Sequence, residues 1–138
     1  TNNEGNTPLH WSASRGRVEV SQMLVGAGAN VNATNDEGRI PLHSSATDGH
    51  VEMSQMLIAA GANVHARDND GQTPLHRSAA FGHAEVCQML VGAGADLNAT
   101  DKGDRTPLHE SAYNGHVDAS QMLVGAGANI NATDNGGW

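Results

Sequence analysis

A four-residue motif recurs through the chain at constant spacing and constrains the fold more than any other feature. It reads Thr-Pro-Leu-His in three copies and Ile-Pro-Leu-His in the second copy, and its prolines are 33 residues apart, at 8, 41, 74 and 107. A fixed period between about 20 and 50 residues is typical of stacked repeats, in which each unit buries its apolar face against its neighbours. We therefore predict a single domain over 1–138, with repeats at 2–34, 35–67, 68–100 and 101–133 and a stub of a fifth at 134–138.

One repeat, residues 68–100, reads as two short helices joined by a tight turn. Thr73 precedes Pro74, an arrangement typical of a helix N-cap followed by proline at the first helical position. We predict a first helix over 74–81 that ends at Gly82, and a second helix over 84–93 with one apolar face. Helices shorter than about 12–15 residues are marginal in water on their own. Stacking between repeats must therefore stabilise them.

This pattern resembles the ankyrin repeat. The resemblance rests on Thr-Pro-Leu-His, then Gly-His, then Gly-Ala-Asp-Leu-Asn-Ala, which recur in register with few changes across all four repeats. It implies an all-α solenoid of stacked helix-turn-helix units with β-hairpin-like finger loops. It also implies a non-catalytic protein that binds a partner protein through a concave surface formed by the fingers and the first helices.

The chain departs from the ankyrin pattern at several positions. Serine replaces the first alanine of the usual pair in every repeat, and methionine occupies a leucine position of each second helix, where the helical spacing predicts a place in the core. Ile40 replaces the capping threonine, a loss that typically costs about 1 kcal/mol. Asp104 stands where glycine and a positive φ are expected. We therefore expect the second and fourth fingers to be the least regular.

The acidic composition bears on the kind of partner. A net charge of −8 argues against nucleic acid, because phosphate binding needs clustered Lys and Arg, and it favours neutral or basic proteins. The apolar runs are too short to span a membrane, so we expect no membrane partner. The single cysteine, Cys87, excludes an internal disulfide and fits a reducing compartment, so we expect an intracellular protein, cytoplasmic or nuclear.

The abundance of histidine raises the question of metal binding. His10, His43, His76 and His109 occupy the same position in successive repeats. Stacked helices lie about 8–10 Å apart, whereas zinc requires ligand nitrogens within about 2.0–2.1 Å of one ion. We predict no metal site and no cofactor; the ankyrin resemblance instead implies that these histidines bond backbone across neighbouring repeats. Cys87 takes a packing position of its helix, so we predict no catalytic residue and no enzyme.

Where repeats are so alike, the positions that differ carry the binding specificity. They concentrate at the finger tips and at exposed positions of the first helices. Three of the four aromatic residues, Trp11, Phe81 and Tyr113, lie at such first-helix positions, and Trp138 lies at a finger position of the stub. Trp, Tyr and Arg are enriched at binding hot spots. The predicted partner-binding residues are Trp11, Arg15, Arg39, Asp48, Gln72, Arg77, Phe81, Arg105, Glu110, Tyr113 and Asn114.

Three further hypotheses concern modification, assembly and origin. The loop asparagine of ankyrin repeats is a target of an asparaginyl hydroxylase, so the resemblance implies Asn32, Asn98 and Asn131 as substrates. Neither terminal repeat has the polar outer face of a capping repeat, which suggests a piece of a longer array, a designed or recombined array, or end-to-end self-association. The near-identity of the repeats also fits a designed or consensus-derived scaffold without a natural partner, and the chain could equally be an interaction subdomain of a larger protein. The sequence leaves these alternatives open.

Overall fold

The computed structural model describes residues 4–136 and is all-helical, with eight α-helices and no β-strand in that range. The helices form pairs that recur with the period of the sequence, and the predicted solenoid of helix-turn-helix units is confirmed. Their bounds are α1 Pro8–Ser14, α2 Val18–Gly26, α3 Pro41–Thr47, α4 Val51–Ala59, α5 Pro74–Ala80, α6 Ala84–Gly92, α7 Pro107–Tyr113 and α8 Val117–Gly125.

The local signals of the sequence act as expected at the ends of each first helix. Thr73 caps α5: its Oγ1 accepts a hydrogen bond from the backbone N–H of His76 at 3.3 Å, and its own N–H donates to Nδ1 of His76 at 3.1 Å. The helix ends at Ala80, one residue earlier than predicted, because Phe81 is already the C-cap residue. Gly82 follows with a φ of 76°, which a residue with a side chain adopts only under strain.

The core is a continuous column of aliphatic side chains between successive helix pairs. First helices contact first helices in chain order, and second helices contact second helices. Leu42, Leu75 and Leu90 are completely buried in these interfaces. The buried hydrophobic residues of the described range include no aromatic side chain. The three aromatic residues of that range, Trp11, Phe81 and Tyr113, are therefore left for another role.

Buried hydroxyl pairs account for the serines that distinguish this chain from the ankyrin pattern. Ser45 Oγ donates to the carbonyl of Leu42 at 3.2 Å and lies 2.8 Å from Oγ of Ser54 on the paired second helix. The first and fourth repeats contain equivalent serine pairs, and the third pairs Ser78 with Cys87 at 3.2 Å. The serine of the first helix and the small polar residue of the second helix are therefore one coupled feature in each repeat, since each group supplies the other's hydrogen-bond partner.

The methionine positions agree with the predicted core in three repeats of four. Met56, Met89 and Met122 are partly buried and pack against the aliphatic core. Met23 is 60 % exposed, so the prediction is wrong for the first repeat. No preceding repeat in the described range covers Met23.

The finger loops at 35–39, 68–72 and 101–105 share one backbone hydrogen-bond pattern. The prediction that the second and fourth fingers are the least regular is therefore wrong for the backbone geometry. In each finger the first residue donates its N–H to the carbonyl of the fifth, at 2.9–3.0 Å. Asp104 adopts a φ of 59° and takes the glycine's place, as anticipated, because aspartate tolerates this region better than most residues. Each finger also donates one backbone N–H to the preceding finger.

The burial of the Ile40 side chain offsets the loss of the helix cap. We expect Ile40→Thr to change the free energy of unfolding by less than about 1 kcal/mol. The substitution regains the stabilisation of a cap and loses a similar amount from apolar burial. Ile40 is 2 % exposed, and its N–H still donates to Nδ1 of His43 at 3.1 Å. Urea titration measures the change. The control Ile40→Ala should lose about 2–5 kcal/mol; an equally small loss there would contradict the role given to burial.

Candidate protein-binding surface

One face of the stack combines the fingers with the exposed positions of the first helices. At the first two repeats these elements flank a shallow groove of about 200 Å³. Trp11 and Ser14 from α1 and Ser44 from α3 lie on one side, and Asn6 and Arg39 from the fingers lie on the other. Two predicted contact residues, Trp11 and Arg39, therefore line the same depression, although they are far apart in sequence.

The forward histidines, His10, His43 and His76, hold each first helix to the next finger. The Nε2 atom of His43 donates to the carbonyl oxygen of Gln72 at 2.9 Å, while Nδ1 accepts the N–H of Ile40. His10 and His76 make the same bonds to Arg39 and Arg105 at 2.7 and 2.8 Å. The network thus assigns the neutral tautomer protonated on Nε2. The inter-repeat backbone bond implied by the ankyrin resemblance is confirmed for these three residues.

Burial keeps the forward histidines uncharged. It lowers the pKa of His43 to about 4. The hydrogen bond to the Gln72 carbonyl and the nearby Asp68 both raise this pKa, but burial has the larger effect. The pKa values of His10 and His76 are also lowered, chiefly by burial. These side chains therefore serve as structural donors and acceptors rather than as acid–base groups at neutral pH.

The backward histidines, His50, His83 and His116, hold each repeat to the one before it. Each is the N-cap residue of a second helix and donates from Nε2 to a carbonyl at the end of the first helix of the preceding repeat, at 2.9–3.0 Å. The accepting residues are Ser14, Thr47 and Ala80. The repeats are therefore hydrogen-bonded at both the finger end and the turn end of the first helices.

A row of side-chain bonds between successive fingers immobilises three of the predicted contact residues. Arg39 Nε donates to Asp68 at 3.2 Å, and Gln72 Nε2 donates to Asp101 at 3.2 Å. Arg105 repeats the pattern with Asp134 at 3.4 Å. In each pair the residues are separated by 29 positions. Burial alone would raise the pKa of Asp101, but hydrogen bonds from the Arg105 and Gly103 backbones and from Gln72 more than offset it, and the pKa is lowered.

A polar cluster on the third and fourth repeats brings together four predicted residues: Gln72, Arg77, Phe81 and Glu110. Arg77 donates from Nε to Oγ1 of Thr47 at 3.2 Å and from Nη1 to Gln72 at 3.4 Å. Its guanidinium also lies 5.3 Å from the centre of the Phe81 ring, within cation–π range. Gln72 in turn donates to Glu110 at 3.2 Å. Burial and the nearby Asp101 raise the pKa of Glu110.

A larger groove of about 780 Å³ lies at the C-terminal end of the described chain. It is lined by Arg105, Glu110 and Tyr113 from the predicted set, together with His109, Ala112 and Asp134. Tyr113 is 90 % exposed, the largest exposure among the large hydrophobic side chains that the structure describes. Eight of the eleven predicted residues thus fall into three neighbouring groups: a first groove, a central cluster and a terminal groove.

The other three predicted contact residues are the C-cap residues of first helices and line neither groove: Arg15, Asp48 and Asn114. Asp48 accepts a hydrogen bond from Oγ of Ser14 at 3.0 Å, and Asn114 donates to the carbonyl of Glu110 at 2.9 Å. Arg15 is exposed at the C-cap of α1 and lines neither groove. Trp138, assigned to the stub, lies outside the described residues.

The comparison with known families agrees with this architecture. A family model described as ankyrin repeats (3 copies) matches residues 1–68, 24–101 and 61–134, which together cover nearly the whole chain. The chain belongs to the ankyrin repeat family. Ankyrin repeats are generally protein–protein interaction modules, and the family is typically non-catalytic. No curated protein matches the sequence.

The loop asparagines of these ankyrin repeats take part in contacts between loops. Asn32 donates from Nδ2 to the carbonyl of Gly61 at 3.2 Å and accepts the N–H of Asn63 at 2.8 Å. Asn98 accepts the N–H of Asn129 at 2.8 Å in the same way. Hydroxylation of Asn32, Asn98 and Asn131 stays a prediction. In the structure the side chains of Asn32 and Asn98 are engaged in these bonds between loops.

The structure of the ankyrin stack also bears on metal binding, on the reactivity of Cys87 and on membrane-spanning helices. Among residues 4–136, no cluster of three or more His, Cys, Asp or Glu side chains could hold a metal ion. Cys87 is buried beside Ser78, and burial raises the pKa of its thiol, which keeps it protonated and unreactive. None of the helices in this range is both long and apolar enough to cross a membrane.

Proposed function

We propose that this ankyrin repeat protein is a non-catalytic module that binds a partner protein through the surface formed by its fingers and first helices. The observation that carries the proposal is the placement of the aromatic side chains. Trp11, Phe81 and Tyr113 are 47 %, 51 % and 90 % exposed, whereas the described core contains no aromatic residue. Exposed aromatic groups cost solubility and are the side chains that most often dominate binding energy.

Rigidity of the surface supports the same proposal. The side chains of Arg39, Gln72 and Arg77 are already held by hydrogen bonds, and the forward histidines fix the backbone of the fingers. Ordering a flexible side chain on binding costs about 0.5–1.5 kcal/mol. A surface whose polar groups are already ordered avoids much of this cost, so it suits recognition of a folded partner or an extended segment.

Charge indicates which proteins this surface would favour. The chain carries a net charge of −8, and the finger tips contribute the acidic residues Asp36, Glu37, Asp70 and Asp104 against Lys102. Complementary charge speeds encounter and selects among partners more than it adds affinity. We therefore assign this protein a neutral or basic protein partner, with the aromatic residues as anchors and the acidic tips as a selective rim.

The test compares affinity capture by the parent chain and by a variant carrying Trp11→Ala, Phe81→Ala and Tyr113→Ala. We expect a protein retained by the parent to bind the variant at least about tenfold more weakly, because truncating anchor residues costs more than about 1.4 kcal/mol in total. The affinity is then measured with the purified partner by calorimetry, and salt dependence reports the contribution of the acidic tips.

The matched control removes three exposed side chains from the second helices: Gln22→Ala, Gln55→Ala and Gln88→Ala. These residues are neutral and lie away from both grooves. The control variant should bind as tightly as the parent. Equal binding by the aromatic variant, with its helical content unchanged, would place the binding surface elsewhere.

A further inference from the structure

A half-buried arginine on the finger and first-helix surface has no carboxylate partner. Arg77 lies on α5, which packs between α3 and α7. The neighbouring Arg39 is paired with Glu37 at 3.0 Å and with Asp68 at 3.2 Å. Among residues 4–136, by contrast, no carboxylate oxygen lies within 4.0 Å of a guanidinium nitrogen of Arg77. Because charged groups are costly to remove from water, they are usually paired when they are buried. The described part of the chain does not supply this counter-ion.

The neighbouring charges leave the same deficit. The pKa of Arg77 is lowered, chiefly by burial and next by the positive charge of Arg39. The carboxylates of Asp68, Glu110 and Glu37 raise this pKa, but they do not compensate for the two opposing effects. Arginine nevertheless stays protonated at neutral pH, because its ordinary pKa is far above 7. A further negative charge in contact with Arg77 would therefore be favourable.

Three contacts orient the guanidinium of Arg77. Its Nε donates to Oγ1 of Thr47 at 3.2 Å, and that hydroxyl donates onward to the carbonyl of His43 at 2.8 Å. Its Nη1 donates to Oε1 of Gln72 at 3.4 Å, and Cζ lies over the ring of Phe81 at 5.3 Å from the centroid. Arginine has five N–H groups, of which these bonds use two. Within residues 4–136, both N–H groups of Nη2 and one of Nη1 have no acceptor.

Gln72 separates Arg77 from two carboxylates of the next repeat. Its Nε2 donates to Asp101 and to Glu110, both at 3.2 Å, while its Oε1 accepts from Arg77. Asp101 also accepts two backbone N–H groups of its own finger. Moving either carboxylate onto Arg77 would break its bond to Gln72. The arrangement therefore keeps an oriented donor group open on the surface rather than closing it with an internal ion pair.

We propose that Arg77 binds a carboxylate of the partner protein, supplied by an aspartate or glutamate side chain. This contact depends on the proposed function, because it belongs to the surface formed by the fingers and first helices. The planar fork of a guanidinium matches the two oxygens of a carboxylate. A phosphate carries a charge of about −1.5 to −2, so the nearby Asp68 and Glu110 would repel it more strongly. A partner that is neutral or basic overall can present this one acidic group.

Selection from a phage-displayed library of random short peptides tests the contact without a known partner. Peptides retained by the parent chain should share one Asp or Glu position, and this preference should disappear when the selection is repeated with Arg77→Gln. The matched control is Arg15→Gln, which removes the same charge. Arg15 is exposed at the C-cap of a first helix and lines neither groove. Peptides selected on the control should keep the acidic position.

Calorimetry with one selected peptide measures the size of the effect. Arg77→Gln should raise the dissociation constant at least about tenfold, and so should replacing the acidic residue of the peptide with its amide, because each change leaves a charge unpaired. Both changes together should weaken binding little more than either alone, since they remove the same contact. Arg77→Lys should recover only part of the affinity, because an ammonium group lacks the planar fork. Thermal unfolding verifies that each variant is folded.

Failure of this contact is distinguishable from failure of the proposed function. Selected peptides without a common acidic position, an acidic preference that survives Arg77→Gln, or fully additive effects in the calorimetric cycle would each overturn the carboxylate contact. If those peptides still bind more weakly to the variant that lacks Trp11, Phe81 and Tyr113, the proposed binding surface is retained. A parent chain that retains no peptide at all would contradict both.

Discussion

Replacing Gly82 by alanine is expected to destabilise the protein by about 2–5 kcal/mol, well above the effect of the same change at Gly115. Both glycines follow a first helix and have nearly equal backbone angles, with φ of 76° and 74°. A Cβ atom at Gly82 would lie 2.5 Å from Nδ1 of His116, whereas at Gly115 nothing lies within 4 Å. The two substitutions therefore share the backbone strain and differ only in the clash.

The size of each effect follows from its physical parts. A left-handed conformation costs an alanine about 1–2 kcal/mol, which is all that Gly115→Ala should lose. Gly82→Ala adds overpacking of about 1–3 kcal/mol. The ring of His116 cannot move aside freely, because its Nε2 donates to the carbonyl of Ala80 at 3.0 Å. Relieving the clash therefore breaks a bond between the third and fourth repeats.

Denaturant unfolding monitored by circular dichroism measures both variants. The double variant Gly82→Ala with His116→Ala should remove the clash, so the two changes should be clearly less than additive in free energy. Losses of equal size at Gly82 and Gly115, or full additivity in the double variant, would show that the contact with His116 does not limit the position.

The second large effect is a loss of stability in mild acid. Burial lowers the pKa of His43 from 6.5 to about 4, so between these values the unfolded chain binds a proton that the folded chain does not. The free energy of unfolding must then fall as the pH falls from about 6.5 to 4. At about 1.4 kcal/mol per pKa unit, His43 alone accounts for about 3 kcal/mol. His10 and His76 act in the same direction.

The shifted carboxylates are distinguishable from the forward histidines. The pKa of Glu110 is raised from 4.5, so its effect on the free energy of unfolding as the pH falls is opposite in sign. The pKa of Asp101 is lowered from 3.8, so its contribution disappears only below that value. Chemical denaturation at several pH values, with ionic strength held constant, gives the free energy of unfolding as a function of pH. Above pH 7 the curve should be flat with respect to the forward histidines, because these side chains are neutral in both states.

The variant His43→Gln provides the control for this prediction. Glutamine at the third helical position supplies an acceptor for the N–H of Ile40 and a donor for the carbonyl of Gln72, but it does not titrate. Its stability should therefore depend less on pH than that of the parent between 6.5 and 4. Parallel curves for the two proteins would rule out His43 as a source of the acid sensitivity.

Periodicity and the local helix signals were sufficient to predict the helices and their order, and the ankyrin resemblance supplied the role of the forward histidines. Each of these depends on residues close in sequence or on the repeat unit itself, and the structure differs from the predicted ends in the third repeat by one residue. Met23 shows where periodic reasoning fails. Equivalent positions are equivalent only if both neighbours are present, and the first repeat has none before it in the described range.

The side-chain bonds between fingers were not predicted, although the sequence contains a signal for them. Arg39, Gln72 and Arg105 each stand 29 positions before an aspartate, at Asp68, Asp101 and Asp134. Comparing positions down the aligned repeats would have shown a donor column beside an acceptor column. The bonds themselves depend on rotamers and on the separation of adjacent fingers, which no local pattern specifies.

The forward and backward histidines also influence the length and curvature of the surface that a partner contacts. They join every pair of adjacent repeats at two separated points, so each junction resists both bending and twisting. Three such junctions separate Trp11 from Tyr113. A small rotation at one junction therefore moves the distant end of the stack, because two or more repeats extend beyond it. A ligand that spans the stack therefore senses length and curvature as well as chemistry.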